Sequence, residues 1–212
     1  MRTITGERRP IPARHWRISI AATRLLVRLG VSPNAISVAG MICGIVAGAA
    51  LAATPFVSNW APAFWIAAAL CIFLRLLANM LDGMVAVEGR KARRLGELFN
   101  EVPDRIADTA ILIGLGHSAG GHIVLGYLAA LAAIFTAYIR AAAKVAGAPQ
   151  DFCGPMAKPH RMAAVIAVAI ICTFLPTTNM PRFALIVIAA GSVVTAARRL
   201  IHANRYLRRP TP

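Results

Sequence analysis

Six long apolar runs constrain this chain more than any other feature. An α-helix needs ~20 mostly apolar residues to cross a bilayer. Runs at 35–53, 61 to about 87, 96 to just before Gly120, 122 to about 145, 161–175 and 183 to about 201 approach or exceed that length. We read them as six transmembrane helices, the fifth being the shortest. Composition points the same way: 58% of the 212 residues are hydrophobic and 15% charged, against roughly 45–50% and about 25% in an ordinary soluble domain. That excess also excludes disorder. A formal net charge of +15 would suit a nucleic-acid binder, but such a protein needs polar surface that this chain lacks, so no nucleic-acid partner is expected. Hydrophobic and basic together describe a protein in a lipid bilayer, its cations outside the hydrocarbon core.

The cations also set the orientation, because Lys and Arg of short loops stay cytoplasmic. Residues 1–33 carry seven Arg, the 88–95 loop carries Arg90, Lys91, Arg93 and Arg94, and the 146–161 loop carries Lys158 and Arg161. Arg198, Arg199, Arg205, Arg208 and Arg209 follow the sixth run, while the alternate connections at 54–59, 116–121 and 176–181 contain no Lys or Arg. Both termini are therefore expected in the cytoplasm. Residues 14–28 mix Arg with Trp16, Ile18, Ile20, Leu25 and Leu26, which suits a helix lying on an anionic leaflet. The expected architecture is an all-α membrane protein of six transmembrane helices with an N-terminal juxtamembrane amphipathic helix. Residues 1–33 form the cytoplasmic segment, 34–205 the membrane domain and 206–212 a basic tail. Gly40, Gly44 and Gly48 recur every fourth residue, flattening one face of the first span for close helix packing. Trp16, Trp60 and Trp65 read as interfacial anchors. The four cysteines show no metal-ligand spacing and read as reduced thiols.

Six of the eight acidic residues (Asp82, Glu88, Glu97, Glu101, Asp104, Asp108) fall within residues 82–108. Carboxylates in or beside a membrane helix are expensive, and they face a cavity or a partner charge. Spacing of three or four residues puts Asn79 and Asp82 on one helical face, and Asn100, Asp104 and Asp108 on another. If these faces of a hairpin meet, their oxygens converge in the inner half of the bilayer. Hard oxygen donors suit Mg²⁺ or Mn²⁺, and those ions suit phosphates. The competing reading is a set of ion pairs in which Arg75 and Arg105 neutralise the acids. Lys158 and Arg161, on the same side, can clasp an acceptor phosphate or a lipid diphosphate. Arg140 reads as a cation reaching for the cytosolic interface.

Residues 79–104 also form a motif. Asn79-x2-Asp82-Gly83-x2-Ala86-Val87-x8-Gly96-x3-Asn100-x3-Asp104 resembles the D-x2-D-G-x2-A-R-x8-G-x3-D-x3-D signature of CDP-alcohol phosphatidyltransferases, with every spacing kept and five of the eight fixed positions matched. Ser32-Pro33-Asn34-Ala35-Ile36-Ser37 resembles the Pro-Asn-x-Ile-Ser/Thr segment that precedes the family's first span. The resemblance implies transfer of a phosphatidyl group from CDP-diacylglycerol to a small alcohol, with release of CMP. It implies Mg²⁺ or Mn²⁺, one or two ions, held by Asn79, Asp82 and Asn100, and a base at Asp104. It places the CDP-lipid against Gly83, Ala86, Gly96 and Asn34, and acceptor phosphate against Lys158 and Arg161.

Three positions depart from the signature: Asn79 and Asn100 replace carboxylates, and Val87 stands where the family has Arg. Each amide removes a negative charge from the divalent site. Asp108, Glu101 or Glu88 can restore it, Asp108 best because it lies one turn from Asp104, unless it pairs with Arg75. A catalytically impaired relative that binds CDP-lipid or a partner stays open as an alternative, as does a transporter. The resemblance further implies a bacterial inner-membrane location and a homodimer, for which the Gly-rich first span or the small-residue fourth offers a face.

Overall fold

The computed structural model describes residue 14 and residues 16–89, 94–175 and 178–208, and the side chains of 94–100 lie outside the description. Gly96 and Asn100, with the loop cations Arg90, Lys91, Arg93 and Arg94, therefore lie outside the described side chains. Seven α-helices form among the described residues: α1 (Arg17–Arg28), α2 (Pro33–Ala53), α3 (Ala61–Glu88), α4 (Arg94–His117), α5 (Ile123–Val145), α6 (Lys158–Phe174) and α7 (Met180–Leu207). Each of the six expected runs is a helix. Four stretches, Pro33–Ala53, Ser58–Glu88, Ile123–Val145 and Met180–Leu207, are long and apolar enough to cross a membrane. α4 falls short through its acids and α6 through its length.

Local chemistry starts and shapes these helices. Ser32 Oγ accepts the Ala35 N–H at 3.1 Å and Pro33 opens the first turn of α2, an N-cap followed by a residue that has no N–H to orphan. His122 caps α5 in the same way, its Nδ1 accepting from the Leu125 N–H at 3.4 Å. Pro103 sits inside α4, so the turn before Asp104 lacks one backbone hydrogen bond. α1 packs Ser19 and Thr23 toward α3 and leaves Trp16, Ile18 and Leu25 exposed, which is how an interfacial helix presents itself to lipid.

The six longer helices close into a ring in the order α2, α3, α6, α7, α5, α4 and back to α2. Its interior is filled by Leu51, Trp65, Ile72, Ile111, Leu112, Leu115, Met162, Leu185 and Ile188, with Ile, Leu and Phe side chains exposed around the outside. Trp65 corrects an expectation: it is fully buried in this core rather than anchored at an interface, while Trp16 and Trp60 are exposed. Position near the end of an apolar run did not reveal which face of α3 the indole occupies.

The glycine face of α2 is consumed inside the protomer. A Cβ on Gly40 would meet Ala78 of α3 at 3.0 Å, one on Gly44 would meet Ala107 of α4 at 2.5 Å, and one on Gly48 would lie 2.7 Å from the Ala110 carbonyl carbon. The three glycines thus let α2 wedge between α3 and α4, and the Gly-rich span has no such face left for a second copy. We expect Gly48→Ala to push α2 off α4 and cost about 1–3 kcal/mol, seen as a lower urea midpoint in detergent.

Candidate active site

α2, α4 and α6 begin at one end of the ring and α3, α5 and α7 finish there, so one end collects the polar turns of all six. Asp82 of α3 is buried; its Oδ2 accepts the Ser37 hydroxyl of α2 at 2.7 Å, and its Oδ1 is buried without a partner. Asn79, one turn back on the same face, has its Nδ2 buried and unpartnered. Two turns from Asp82 on that face, Arg75 is 1% exposed and leaves its Nε and Nη1 unpartnered. A Cβ on Gly83 would have only the Arg14 guanidinium near it, at 3.8 Å. Asn34 and Ala86 are half-buried at the same end.

Across the ring interior, α4 presents Asp104 and Asp108. Asp104 is ion-paired to Lys158 Nζ at the start of α6, with Arg75 Nη2 at 3.4 Å and Arg105 Nη2 at 3.8 Å. Arg75 Nη2 also donates to the Asp104 carbonyl at 3.2 Å. Asp108 is buried between Arg75 Nη2 at 2.6 Å and Arg161 Nη2 at 3.4 Å. Arg75, which shares the Asp82 face of α3, reaches across to Asp104. The two acids of the motif therefore face one polar space.

The expected meeting of the α3 and α4 faces needs correcting. α3 and α4 make few direct contacts among the described residues, because α2 packs against both. Arg75 of α3 reaches across to the polar face of α4, which Lys158 of α6 also meets. Of the two roles open to Asp108, the structure shows the ion pair with Arg75. The other acids considered as sources of missing charge are also engaged: Glu88 lies 3.6 Å from Arg24 of α1, and Glu101 pairs with Arg140 and, at 3.5 Å, with Arg105. Arg161 is buried, donating from Nη1 to the Met156 carbonyl at 2.8 Å.

A second feature of this end is not legible in the spacing. A cavity of about 500 Å³ is lined by Arg140, Gln150, Asp151, Cys153, Arg199, His202, Arg205 and Tyr206 among others. Arg199 is held at its back, Nε donating to the Cys153 carbonyl at 3.1 Å and Nη1 to the Thr136 carbonyl at 2.9 Å. His202 Nδ1 lies 2.9 Å from Asp151 Oδ2. Burial alone would raise the Asp151 pKa, but hydrogen bonds from Cys153 and His202 hold the carboxyl below the usual range. Burial and the Asp151 carboxylate push the Cys153 thiol up to about 11. Arg199 and His202 were hidden among cations read as an orienting tail, and Arg140 as an interfacial one.

Residues 30–198 match the family model of the CDP-alcohol phosphatidyltransferases, a span that runs from just before α2 into the second half of α7. The chain belongs to that family. This CDP-alcohol phosphatidyltransferase is accordingly an enzyme of phospholipid biosynthesis that works with a divalent metal ion. It is 28% identical over 201 residues to the phosphatidylinositol phosphate synthase of Mycolicibacterium smegmatis, covering 91% of this chain and 86% of that one. The fold is that of the Mycobacterium tuberculosis phosphatidylinositol phosphate synthase with CDP-DAG bound, at a TM-score of 0.75 and 23% identity, over 93% of this transferase and 100% of that chain. The same synthase in complex with manganese and citrate gives a TM-score of 0.74 at 23% identity, over 92% and 93% of the two chains.

Proposed function

We propose that this transferase moves the phosphatidyl group of CDP-diacylglycerol to a phosphorylated small alcohol at the cytoplasmic face of a bacterial inner membrane, releasing CMP. The observation that carries the reading is the pair of buried, unsatisfied groups of opposite kind on one face of α3: the Asp82 Oδ1 acceptor and the Arg75 Nε and Nη1 donors. A buried polar group without a partner costs about 1–3 kcal/mol. A divalent ion carrying a diphosphate satisfies both sets at once.

The donor set fits such an ion. Asp82 Oδ1, the Asn79 amide carbonyl one turn away and Asn100 from α4 are hard oxygens, which Mg²⁺ and Mn²⁺ prefer. When bound there, the ion stabilises charge on the phosphate oxygens. The remaining roles belong to side chains. Open space beside Gly83, with Ala86, Gly96 and Asn34, receives the CDP-lipid head group. Lys158 and Arg75 supply cations to the diphosphate as charge builds on it. Asp104 takes the proton of the acceptor hydroxyl while the hydroxyl oxygen attacks the phosphorus that bears diacylglycerol. The bond from that phosphorus to the CMP oxygen breaks, and CMP leaves. Asp108 and Arg161 hold Arg75 and the start of α6 in place.

The cavity lined by Arg140, Arg199 and Arg205 suits an anionic acceptor. The name of the relatives suggests that the acceptor is an inositol phosphate. Six helices span the membrane in this reading, α6 being about 26 Å long at 1.5 Å per residue. Arg24, Arg28, Lys144, Lys158, Arg198, Arg205 and Arg208 gather at the site end, whereas Arg182 is the one cation among the described residues near the other end. That asymmetry supports cytoplasmic termini and weighs against a transport path, which needs polar groups through both halves.

The test is CMP release from CDP-diacylglycerol by the purified protein in vesicles, with Mn²⁺ or Mg²⁺ and a panel of acceptors. Release that needs a phosphorylated alcohol supports the proposal, and equal release with its unphosphorylated counterpart overturns the acceptor assignment. CDP-lipid binding with no CMP release in the presence of any acceptor favours the impaired-relative reading, for which the two Asn positions speak. We further expect Asn79→Asp and Asn100→Asp each to lower the Mn²⁺ concentration for half-maximal activity by about tenfold, since carboxylate count tunes the affinity of such sites. Titrations identical to wild type would remove both positions from the metal.

A further inference from the structure

Apart from the oxygen-rich site, the 146–157 loop and the end of α7 bring together ligand atoms of three kinds. Asp151 Oδ2 lies 2.9 Å from His202 Nδ1, Cys153 Sγ lies 3.0 Å from Asp151 Oδ2 and 3.6 Å from His202 Nδ1. All three side chains reach the surface of the basic cavity. Zinc bonds of about 2.0–2.3 Å in a tetrahedron set neighbouring ligand atoms roughly 3.3–3.7 Å apart. The triangle is therefore within a few tenths of an ångström of what such an ion requires.

We propose that Asp151, Cys153 and His202 form a second metal site, specific for a zinc-class ion, with water as the fourth ligand. Thiolate and imidazole favour Zn²⁺ over Mg²⁺ and Mn²⁺, the opposite preference to the Asp82 set, so one chain carries a soft site and a hard one. On binding, the Cys153 thiol gives its proton to solvent and its sulfur bonds the metal. Thiolate and carboxylate then offset the two charges of the ion, which lets it sit among Arg140, Arg199 and Arg205. The ligands are already oriented from behind. Asp151 Oδ1 accepts the Cys153 N–H at 2.7 Å, and Arg199 Nε donates to the Cys153 carbonyl at 3.1 Å, the kind of outer contact that positions metal ligands. A Cys-His-Asp nucleophile is the rival reading. It needs thiol and carboxylate on different imidazole nitrogens, whereas both face Nδ1 here. Bound metal would tie the loop to α7 across the mouth of the cavity.

Cobalt(II) tests this, because a thiolate ligand gives it a near-ultraviolet charge-transfer band and a tetrahedral site gives visible bands. With excess Mg²⁺ present to fill the oxygen site, one equivalent of Co²⁺ should develop both bands, and one equivalent of Zn²⁺ should remove them. Cys153→Ser should abolish the charge-transfer band. His202→Ala, an exposed position at a helix end, should keep the wild-type unfolding midpoint yet bind Zn²⁺ at least ~10–100-fold more weakly, the loss seen even for outer-sphere partners. Asp82→Asn should leave the spectrum intact. Absence of the bands, their persistence in Cys153→Ser, unchanged Zn²⁺ affinity in His202→Ala or their loss in Asp82→Asn would each overturn the site.

Discussion

Asp104→Asn is expected to reduce CMP release by about 10²–10⁴, the usual contribution of a positioned general base. The substitution keeps volume and shape but removes the group that takes the acceptor proton. It also takes the counter-charge from Lys158, which is paired to Asp104, and from Arg105 at 3.8 Å. The fold should tolerate it better than most changes at this end, because Arg75 donates to the Asp104 backbone carbonyl, which Asn retains. Binding of CDP-diacylglycerol should persist, since Asp82 and its Ser37 hydrogen bond are untouched. The informative comparison is therefore activity against CDP-lipid binding in the same preparation. Wild-type turnover would refute the assigned role, and joint loss of binding and turnover would make Asp104 a positioning residue for the diphosphate instead.

Much of this site was legible in one dimension because its parts are local. Asn79 with Asp82, and Asp104 with Asp108, are set by spacings of three and four on single helices, and the apolar runs place both sets near one end. The pairing of particular acids with particular cations was not legible, because it depends on closing the ring. The ring must close before Lys158 of α6 can pair with Asp104 of α4, and α7 must reach α5 before Arg199 can touch the Thr136 carbonyl. Asp151 and His202 are separated by 51 residues, and no periodicity links a loop carboxylate to a helix end. Cys153 looked like one more isolated thiol for the same reason. The expectation that the two hairpin faces meet treats α3 and α4 as neighbours, yet the glycines at 40, 44 and 48 let α2 wedge between them. The stripe itself was visible in sequence, but the identity of its partner was a matter of tertiary packing.

Arg75→Met should be among the most damaging single changes to the fold. Arg75 is buried and touches Asp104 and Asp108 through one nitrogen. Removing it leaves Asp108, itself buried, with Arg161 at 3.4 Å as its one remaining ion pair among the described residues. Breaking a buried ion pair from one side costs about 3–5 kcal/mol, a large share of the roughly 5–15 kcal/mol that holds a domain folded. The expected result is a sharply lower urea midpoint, or little folded protein recovered in detergent. Asp108→Asn in the Arg75→Met background should recover part of the loss, because the uncompensated charge is then gone. A double-mutant cycle reads that coupling directly. Arg75→Lys should not rescue, since its ammonium ends one bond short of the Nη2 nitrogen that reaches both Asp104 and Asp108. If Arg75→Met unfolds within about 0.5 kcal/mol of wild type, as an ordinary surface change would, the two carboxylates are stabilised from elsewhere. Arg75 would then be kept for its unpartnered Nε and Nη1, and the loss should appear in turnover alone.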